Sequence, residues 1–442
     1  MKKIIHFMLS AVFVLFFYSS CFAIGVGDLQ DLITLTARDL ANQLVGPANV
    51  GPLPLNPPDF TGSEFAAGIF TNGLVDGLGI NQGVILSTGD IFNAVGPNLD
   101  PSSGLDNAQV GLAALNALIV PGVTANAMAL DFFLVPPARV TTVRFKYAFA
   151  SDEYSESVGT GFNDVFAIFI DGQNIALVPG TNNPVSVNTL NGTATPLLFN
   201  NNTSGLFGTQ YDGFSSVLKA TATVTPGVAH LVRLAIADGG PAGAPDSVVD
   251  SAVLIAPATS FFEDIPLTHF AVSHTMGIFN AGITVGCSAD PALFCPDNGV
   301  TRGQMAAFIA RAENGGDPTV PCATPPFTDV PITDPFCPHI QFIKTAGISL
   351  GFADGTFRPI DPVTRGQMAA FIVRGVEGEP VGACSVAPFL DVPTNYVFCR
   401  HVERLKALAI TLGFPDGTYQ PENGTLRDEM AVFLGRGYLA LP

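Results

Sequence analysis

The sequence has no tryptophan and few basic residues. Lysine and arginine total 19 against 37 aspartate and glutamate, so the 442-residue chain has a formal net charge of −18. Such a chain lacks the basic patch that binding to nucleic-acid phosphates requires, and divalent cations suit its surface better. The missing tryptophan also removes the largest aromatic ring, which argues against a sugar-stacking cleft.

Motifs of nucleophilic catalysis and zinc binding are absent from the sequence. There is no G-x-S-x-G elbow, and His230 is the one histidine in residues 24–259, so Ser87 in the STGD segment has no obvious base. No C-x-x-C pair or cysteine–histidine spacing indicates zinc. Acid pairs such as Asp152 and Glu153 leave a glycoside hydrolase as a further alternative, since that reaction needs two carboxyl groups flanking a cleft.

Long apolar runs are confined to the start of the chain. Residues 1–23 combine Lys2 and Lys3 with an apolar segment and Ala23, which predicts a secretory signal peptide cleaved after Ala23. Lipidation at Cys21 is the alternative. No later stretch is apolar enough to span a membrane. The mature chain is therefore expected to be secreted or at the cell surface, with no transmembrane segment.

Residues 24–259 show many short strand patterns separated by turns. Residues 143–149 alternate in polarity, residues 165–170 are apolar throughout, and Asp171-Gly172 predicts a turn into a third strand over 174–178. One helix is predicted, over 28–45. This pattern indicates an all-β sandwich or jelly roll rather than βαβ units.

An acidic loop joins the first two of these strands. Three more aspartates flank the last strand predicted in this region, over 251–256. Calcium takes six to eight oxygen ligands, so the two groups would form a calcium site if the sandwich brings them together. The alternative is that the acids cap turns and bond local backbone amides. The predicted calcium ligands are Asp152, Glu153, Asn163, Asp164, Asp238, Asp246 and Asp250.

Residues 260–442 are a threefold repeat, with units of about 260–320, 321–383 and 384–442. The units begin at FEDIP (262–266), FTDVP (327–331) and FLDVP (389–393), and each continues as helix, glycine-rich loop and helix. Capping boxes are predicted for the second helix of the first two units, at Thr301 and Thr364. One unit cannot bury its apolar stripe alone, so we expect the three to pack into one helical bundle.

Six cysteines lie in this repeat region, an even and clustered set typical of disulfides in an exported protein. Two pairs stand at the same offsets from Phe327 and Phe389, so equivalent units should form equivalent bonds. Free cysteines that fill the core are the alternative. The predicted pairs are Cys322–Cys337, Cys384–Cys399 and, by remainder, Cys287–Cys295.

The β region resembles the choice-of-anchor L domain. The resemblance is carried by GVILSTGD, FKYAFASDEYSE, GFNDVFAIFI, NIALVPGTNNPVSVNTLN and DSAVLIA, in that order. It implies an extracellular β module of a bacterial surface protein, with no enzymatic activity and no defined ligand.

The repeats resemble S-layer homology modules, which bind cell-wall polymers. Where that family has TRAE at the second helix, this sequence has TRGQ (301–304), TRGQ (364–367) and LRDE (426–429). The resemblance implies that an anionic envelope polysaccharide or surface polymer is contacted by these side chains, whereas simple solvation of the arginines is the alternative. The predicted polymer-binding residues are Arg302, Arg365, Arg427 and Glu429.

Together these features predict a multidomain chain, an all-β sandwich followed by an α-helical three-repeat bundle. The predicted function is a non-catalytic cell-surface protein whose β domain is held at the envelope by the repeats. The alternative function is a calcium-dependent carbohydrate-binding or adhesive module.

Overall fold

The computed structural model of the chain describes residues 29–31, 34–51, 60–74, 77–100, 104–242 and 249–442. The predicted signal peptide and Asp246 lie outside these residues. Within them, no helix is both long and apolar enough to cross a membrane.

Strands dominate the described residues before 260, and helices dominate those after. The strands are β1 (Leu29–Asp31), β2 (Phe60–Thr61), β3 (Ala67–Phe70), β4 (Gly83–Ser87), β5 (Val123–Leu134), β6 (Thr142–Ser151), β7 (Val165–Ile170), β8 (Gln173–Asn174), β9 (Val185–Ser186), β10 (Phe199–Asn201), β11 (Gly213–Ser215), β12 (Leu218–Thr223), β13 (His230–Gly240), β14 (Ser251–Ile255), β15 (Ser288–Ala289) and β16 (Ala292–Leu293). The helices are α1 (Ala37–Val45), α2 (Ala113–Asn116), α3 (Val272–Asn280), α4 (Arg302–Asn314), α5 (Cys337–Thr345), α6 (Arg365–Val376), α7 (Cys399–Ala407) and α8 (Arg427–Leu439).

Two antiparallel sheets form the predicted sandwich. The first sheet has the order β1-β3-β4-β14-β6-β11-β10, with β12 also paired to β6, and the second has the order β2-β5-β13-β7-β8, with β9 also paired to β7. The sheets face each other through the alternating side chains of β6, which meet β7, and the rings of Tyr147 and Phe166 lie 5.2 Å apart. Val143, Phe145 and Phe149 are fully buried in the same core, as the alternation predicts.

Two predicted elements are wrong in part. The helix predicted over 28–45 begins at Ala37, because Thr36 and Asp39 form a capping box there, and Leu29 upstream pairs with Phe70 as a strand. The third strand predicted over 174–178 is limited to Gln173–Asn174. The Asn174 side chain accepts a hydrogen bond from the Ala176 amide at 3.0 Å, a local turn that ends the strand.

The helical repeats pack directly against the sandwich. The Asn49 side-chain amide donates to the Leu267 carbonyl at 3.1 Å, and the Arg144 guanidinium lies 4.9 Å from the centre of the Phe261 ring. Glu263 forms ion pairs with Lys146 and Lys219 at 3.2 and 2.7 Å. The two regions are therefore joined by an interface with apolar and polar contacts.

Candidate functional sites

Each repeat unit is built from two helices and a loop that an aspartate fixes. In the second unit, the Asp329 carboxylate accepts hydrogen bonds from the Phe357 and Arg358 amides at 2.8 and 2.7 Å. Asp264 and Asp391 occupy the same position in the other units. Sequence reasoning gave these aspartates no role, although their recurrence in the F-x-D-x-P segments was the available signal.

The predicted polymer-binding arginines are buried rather than solvated. Arg302, Arg365 and Arg427 are each 5% exposed. Each guanidinium Nε donates to a carbonyl in the loop of another unit: Arg302 to Phe357 at 2.7 Å, Arg365 to Tyr419 at 2.8 Å and Arg427 to Phe294 at 2.7 Å. The alternative that these arginines are merely solvated is therefore wrong, because each reaches across a unit boundary.

Aromatic rings surround these arginines. The Arg302 guanidinium lies 4.6 Å from the Phe352 ring centre and 4.7 Å from that of Phe357. Arg365 has equivalent contacts with Phe414 and Tyr419. A cation over ring faces gains electrostatic energy without water, which suits a buried guanidinium. Burial lowers the pKa of Arg302 to about 10, so Arg302 stays charged at neutral pH.

The contacts between units form a closed ring. Helix α4 of the first unit packs on α5 of the second, α6 on α7 of the third, and α8 returns to α3 of the first. At the centre, the Val300 amide donates to Thr425, the Val363 amide to Val300, and the Thr425 amide to Val363, at 2.9–3.0 Å. The three units thus stand around a pseudo-threefold axis, and the prediction that they pack into one helical bundle is confirmed.

Two of the unit boundaries form open grooves that contain the arginines. The first is lined by Arg302, Phe352, Gln367 and Arg374, with Leu350 at its edge. The second is lined by Arg365, Phe414, Glu429, Arg436 and Leu412.

The last position of the TRGQ or LRDE motif holds the arginine in each groove. Arg302 donates to Gln367 Oε1 at 3.0 Å, and Arg365 donates to Glu429 Oε1 at 2.7 Å. Each groove is therefore lined by two arginines, in a chain whose net charge is −18. One arginine of each groove has an acidic partner: Arg374 pairs with Glu379, which is outside the groove lining, and Arg365 pairs with Glu429.

The three disulfides pair as predicted, Cys287–Cys295, Cys322–Cys337 and Cys384–Cys399. Cys287 and Cys295 also lie within 4.8 Å of an Asp264 oxygen, the one such grouping of acidic, histidine or cysteine ligands among the described residues. Because both sulfurs are bonded to each other and Asp264 accepts two backbone amides, this grouping does not supply metal ligands.

The predicted calcium ligands lie at one end of the sandwich, where the two sheets meet. Asp152 and Glu153 follow β6 and Asp250 precedes β14 in the first sheet, while Asp164 and Asp238 lie at the ends of β7 and β13 in the second. The Ser251 hydroxyl donates to Asp164 Oδ2 at 2.7 Å and so links the sheets. The structure therefore brings together the acids of the loop between β6 and β7 and the aspartates that precede β14, as the calcium prediction required.

These five carboxyl groups are withdrawn from solvent, none being more than 1% exposed. Their backbone donors are distant in sequence: Asp152 Oδ1 accepts from the Asp212 amide at 3.0 Å, and Asp164 Oδ1 from the Gly239 amide at 2.9 Å. These bonds tie separate strands together, so local turn capping does not account for the cluster. The Asn163 side-chain oxygen instead accepts from the Asn188 amide at 2.8 Å.

Burial and like charge act together on this cluster. Burial and the neighbouring Asp212 raise the pKa of Asp152 to about 9. Burial and the charge of Asp164 raise the pKa of Asp238 well above its ordinary range. A buried carboxylate in such surroundings must be protonated or neutralised by a cation.

The candidate residues for hydrolysis serve structural roles in this arrangement. Ser87 is fully buried, and its hydroxyl donates to the Ser251 carbonyl and accepts from the Gly89 amide at 3.2 and 3.1 Å. Asp152 and Glu153 are buried together and do not line an open cleft.

Comparison with known protein families gives separate matches for the β-sandwich and for the helical repeats. The model of the family described as choice-of-anchor L domain matches residues 33–262, and the S-layer homology domain model matches residues 326–369 and 388–431. Residues 263–320, nearly all of the first repeat unit, lie outside these matches.

Similar proteins include two from Acetivibrio thermocellus, "Cell surface glycoprotein 1" and "Cellulosome-anchoring protein". The first is 25% identical over 32% of this chain and 6% of its own length, the second 25% identical over 33% of each. An "Endoglucanase" of a Bacillus species is 27% identical over 38% of this chain and 18% of its own length. The chain therefore spans no more than about a third of these relatives.

Proposed function

Because this chain belongs to the choice-of-anchor L domain family and carries S-layer homology domains, we propose that it is a non-catalytic cell-surface protein. The β-sandwich is the displayed part, and the three-unit bundle retains it at the envelope. The named surface and anchoring roles of the Acetivibrio relatives support this division of labour.

The proposed partner of the bundle is an anionic polysaccharide of the envelope, bound in the two grooves. The observation that carries this proposal is the pair of arginines in each groove of a strongly acidic chain. Arg374 and Arg436 are half-buried and stand beside Arg302 and Arg365. Because only one arginine of each groove has an acidic partner among the described residues, Arg374 with Glu379 and Arg365 with Glu429, each groove offers positive charge together with aromatic rings. Guanidinium groups bind carboxylate and phosphate by paired hydrogen bonds, which suits an acidic sugar.

Negative charge introduced at the groove edges tests retention without disturbing the core. Leu350 and Leu412 are 73% and 72% exposed, so aspartate there should be tolerated and should repel an anionic polymer. We expect the Leu350→Asp, Leu412→Asp double variant to leave the envelope pellet and appear in the soluble fraction.

The matched control is Leu390→Asp, since Leu390 is 83% exposed and does not line either groove. This control should pellet with the envelope like the unmodified chain. A groove variant that also pellets fully, with an unchanged melting curve, would contradict binding in the grooves.

A further inference from the structure

The buried carboxyl cluster of the sandwich, formed by Asp152, Glu153, Asp164, Asp238 and Asp250, plays no part in retention by the bundle. It joins the ends of both sheets, and five ionisable acids buried together repel one another when ionised. We propose that this cluster binds a calcium ion that fastens the two sheets at this end. The proposal is independent of the groove function.

Two buried carboxylate oxygens on opposite sheets point to a ligand. Asp152 Oδ2 and Asp238 Oδ1 accept no hydrogen bond within 3.5 Å from the described residues, although the two side chains are 1% and 0% exposed. The Thr88 hydroxyl also interacts with the Asp238 carboxyl. Native proteins satisfy nearly all such atoms with a donor, water or an ion. The second oxygen of each group is held in place, Asp152 Oδ1 by the Asp212 amide and Asp238 Oδ2 by the Asn126 side-chain amide, both at 3.0 Å.

A third buried atom, outside the acids, lies beside the cluster. Tyr211 is fully buried, and its hydroxyl has no hydrogen-bond partner within 3.5 Å among the described residues, with the Ser87 hydroxyl beside it. Burial, and after it the charges of Asp250 and Asp152, raise the pKa of Tyr211 well above its ordinary range. A cation among these groups would neutralise the negative charge of the acids. The Tyr211 hydroxyl would then be a polar group beside the ion. The cluster therefore combines unused oxygens with negative potential.

The chemistry favours calcium over magnesium. In the described residues no three of these carboxyl groups bring oxygens within 4.8 Å of one another. An ion here is thus held by one or two carboxylates, with backbone carbonyls, amide oxygens and water completing its shell. Calcium accepts six to eight oxygens in irregular arrangements, whereas magnesium requires a near-regular octahedron.

The test is thermal unfolding of the full chain with calcium chloride or with EDTA. At a hundredfold excess over the dissociation constant, binding to the folded state alone should raise the melting temperature of the sandwich by about 5–10 °C. Asp238→Asn should abolish this gain.

Glu64→Gln is the matched control, since Glu64 is exposed and the substitution removes the same charge. It should keep the full calcium response, and equilibrium dialysis with calcium-45 should give one ion per chain. If Asp238→Asn does not fold, Asp152→Asn serves in its place. Equal melting curves with calcium and EDTA would overturn the proposal, as would a full calcium gain in Asp238→Asn or an equal response to magnesium chloride.

Discussion

At the scale of single residues, the arginine of each second helix joins its unit to another. Arg302 binds the Phe357 carbonyl through Nε and Gln367 through Nη1, and it lies between aromatic rings. Replacement by alanine would leave the carbonyl unsatisfied and open a cavity among the rings.

We expect Arg302→Ala to lower the unfolding free energy of the bundle by about 2–4 kcal/mol. The measurement is unfolding by increasing concentrations of guanidinium chloride, monitored by the far-ultraviolet circular dichroism of the helices. Arg404→Ala is the comparison, because Arg404 is 43% exposed in its ion pair with Glu377 and such pairs contribute little. An equally small effect of both substitutions would show that the burial of Arg302 has no energetic weight.

The positions of these arginines were readable from the sequence, but their surroundings were not. Their place on the first turn of a helix predicts exposure when one unit is considered alone. The contact that buries Arg365 comes from Tyr419, 54 positions later, and depends on how two units meet. By contrast, repeat symmetry predicted the Cys322–Cys337 and Cys384–Cys399 disulfides, because it relates equivalent positions without needing the packing, and Cys287–Cys295 followed by remainder.

At the scale of elements, strand periodicity was reliable where one face of the strand packs in the core and the other is more exposed. Residues 143–149 alternate, and the strand is present with Phe145 and Tyr147 in the core. The predicted helix over 28–45 failed in its first part, since apolar spacing there also fits a strand that pairs with β3. Cap chemistry at Thr36 marks the true start more sharply than periodicity does.

Cap chemistry also separates the third repeat from the first two. Thr301 and Thr364 accept the amide three residues later at 3.3 Å, but Leu426 occupies that position before α8. Glu429 already accepts from the Leu426 amide at 3.1 Å, so half of the capping box is present.

We expect Leu426→Thr to stabilise the bundle by about 0.5 kcal/mol, because the hydroxyl would complete the capping box at the Glu429 amide, which now donates to Asp428 Oδ1 at 2.6 Å. Differential scanning calorimetry should show a higher melting temperature. Leu426→Ala, which shortens the side chain without adding an oxygen, should show no gain. A gain in the alanine variant would assign the effect to the loss of leucine instead.

At the scale of the whole molecule, the ring of units predicts that the bundle unfolds as one body. Removing residues 384–442 would expose α3 and α6 and remove the Arg427 contact with the first unit. We expect this shortened chain to lose helical circular dichroism from the remaining two units as well, and to be cut by trypsin within them.

An open array behaves differently, since each repeat contacts only its sequence neighbours and stability is close to a sum of parts. Survival of α4 and α5 as a folded pair in the shortened chain, resistant to trypsin, would be the result expected of such an array. It would contradict the ring as the source of stability.

The ring also determines how the bundle responds to a pulling force. Tension from the displayed sandwich enters at the first unit, through the interface that includes Asn49 and Leu267. In a linear array the first unit would contact a single neighbour, so the force would separate one interface between units at a time. Here the first unit packs on both neighbours, through α4 against α5 and through α3 against α8. A pulling force must therefore separate both interfaces at the same time. We therefore expect the bundle to resist a higher unfolding force than a linear array of the same three units.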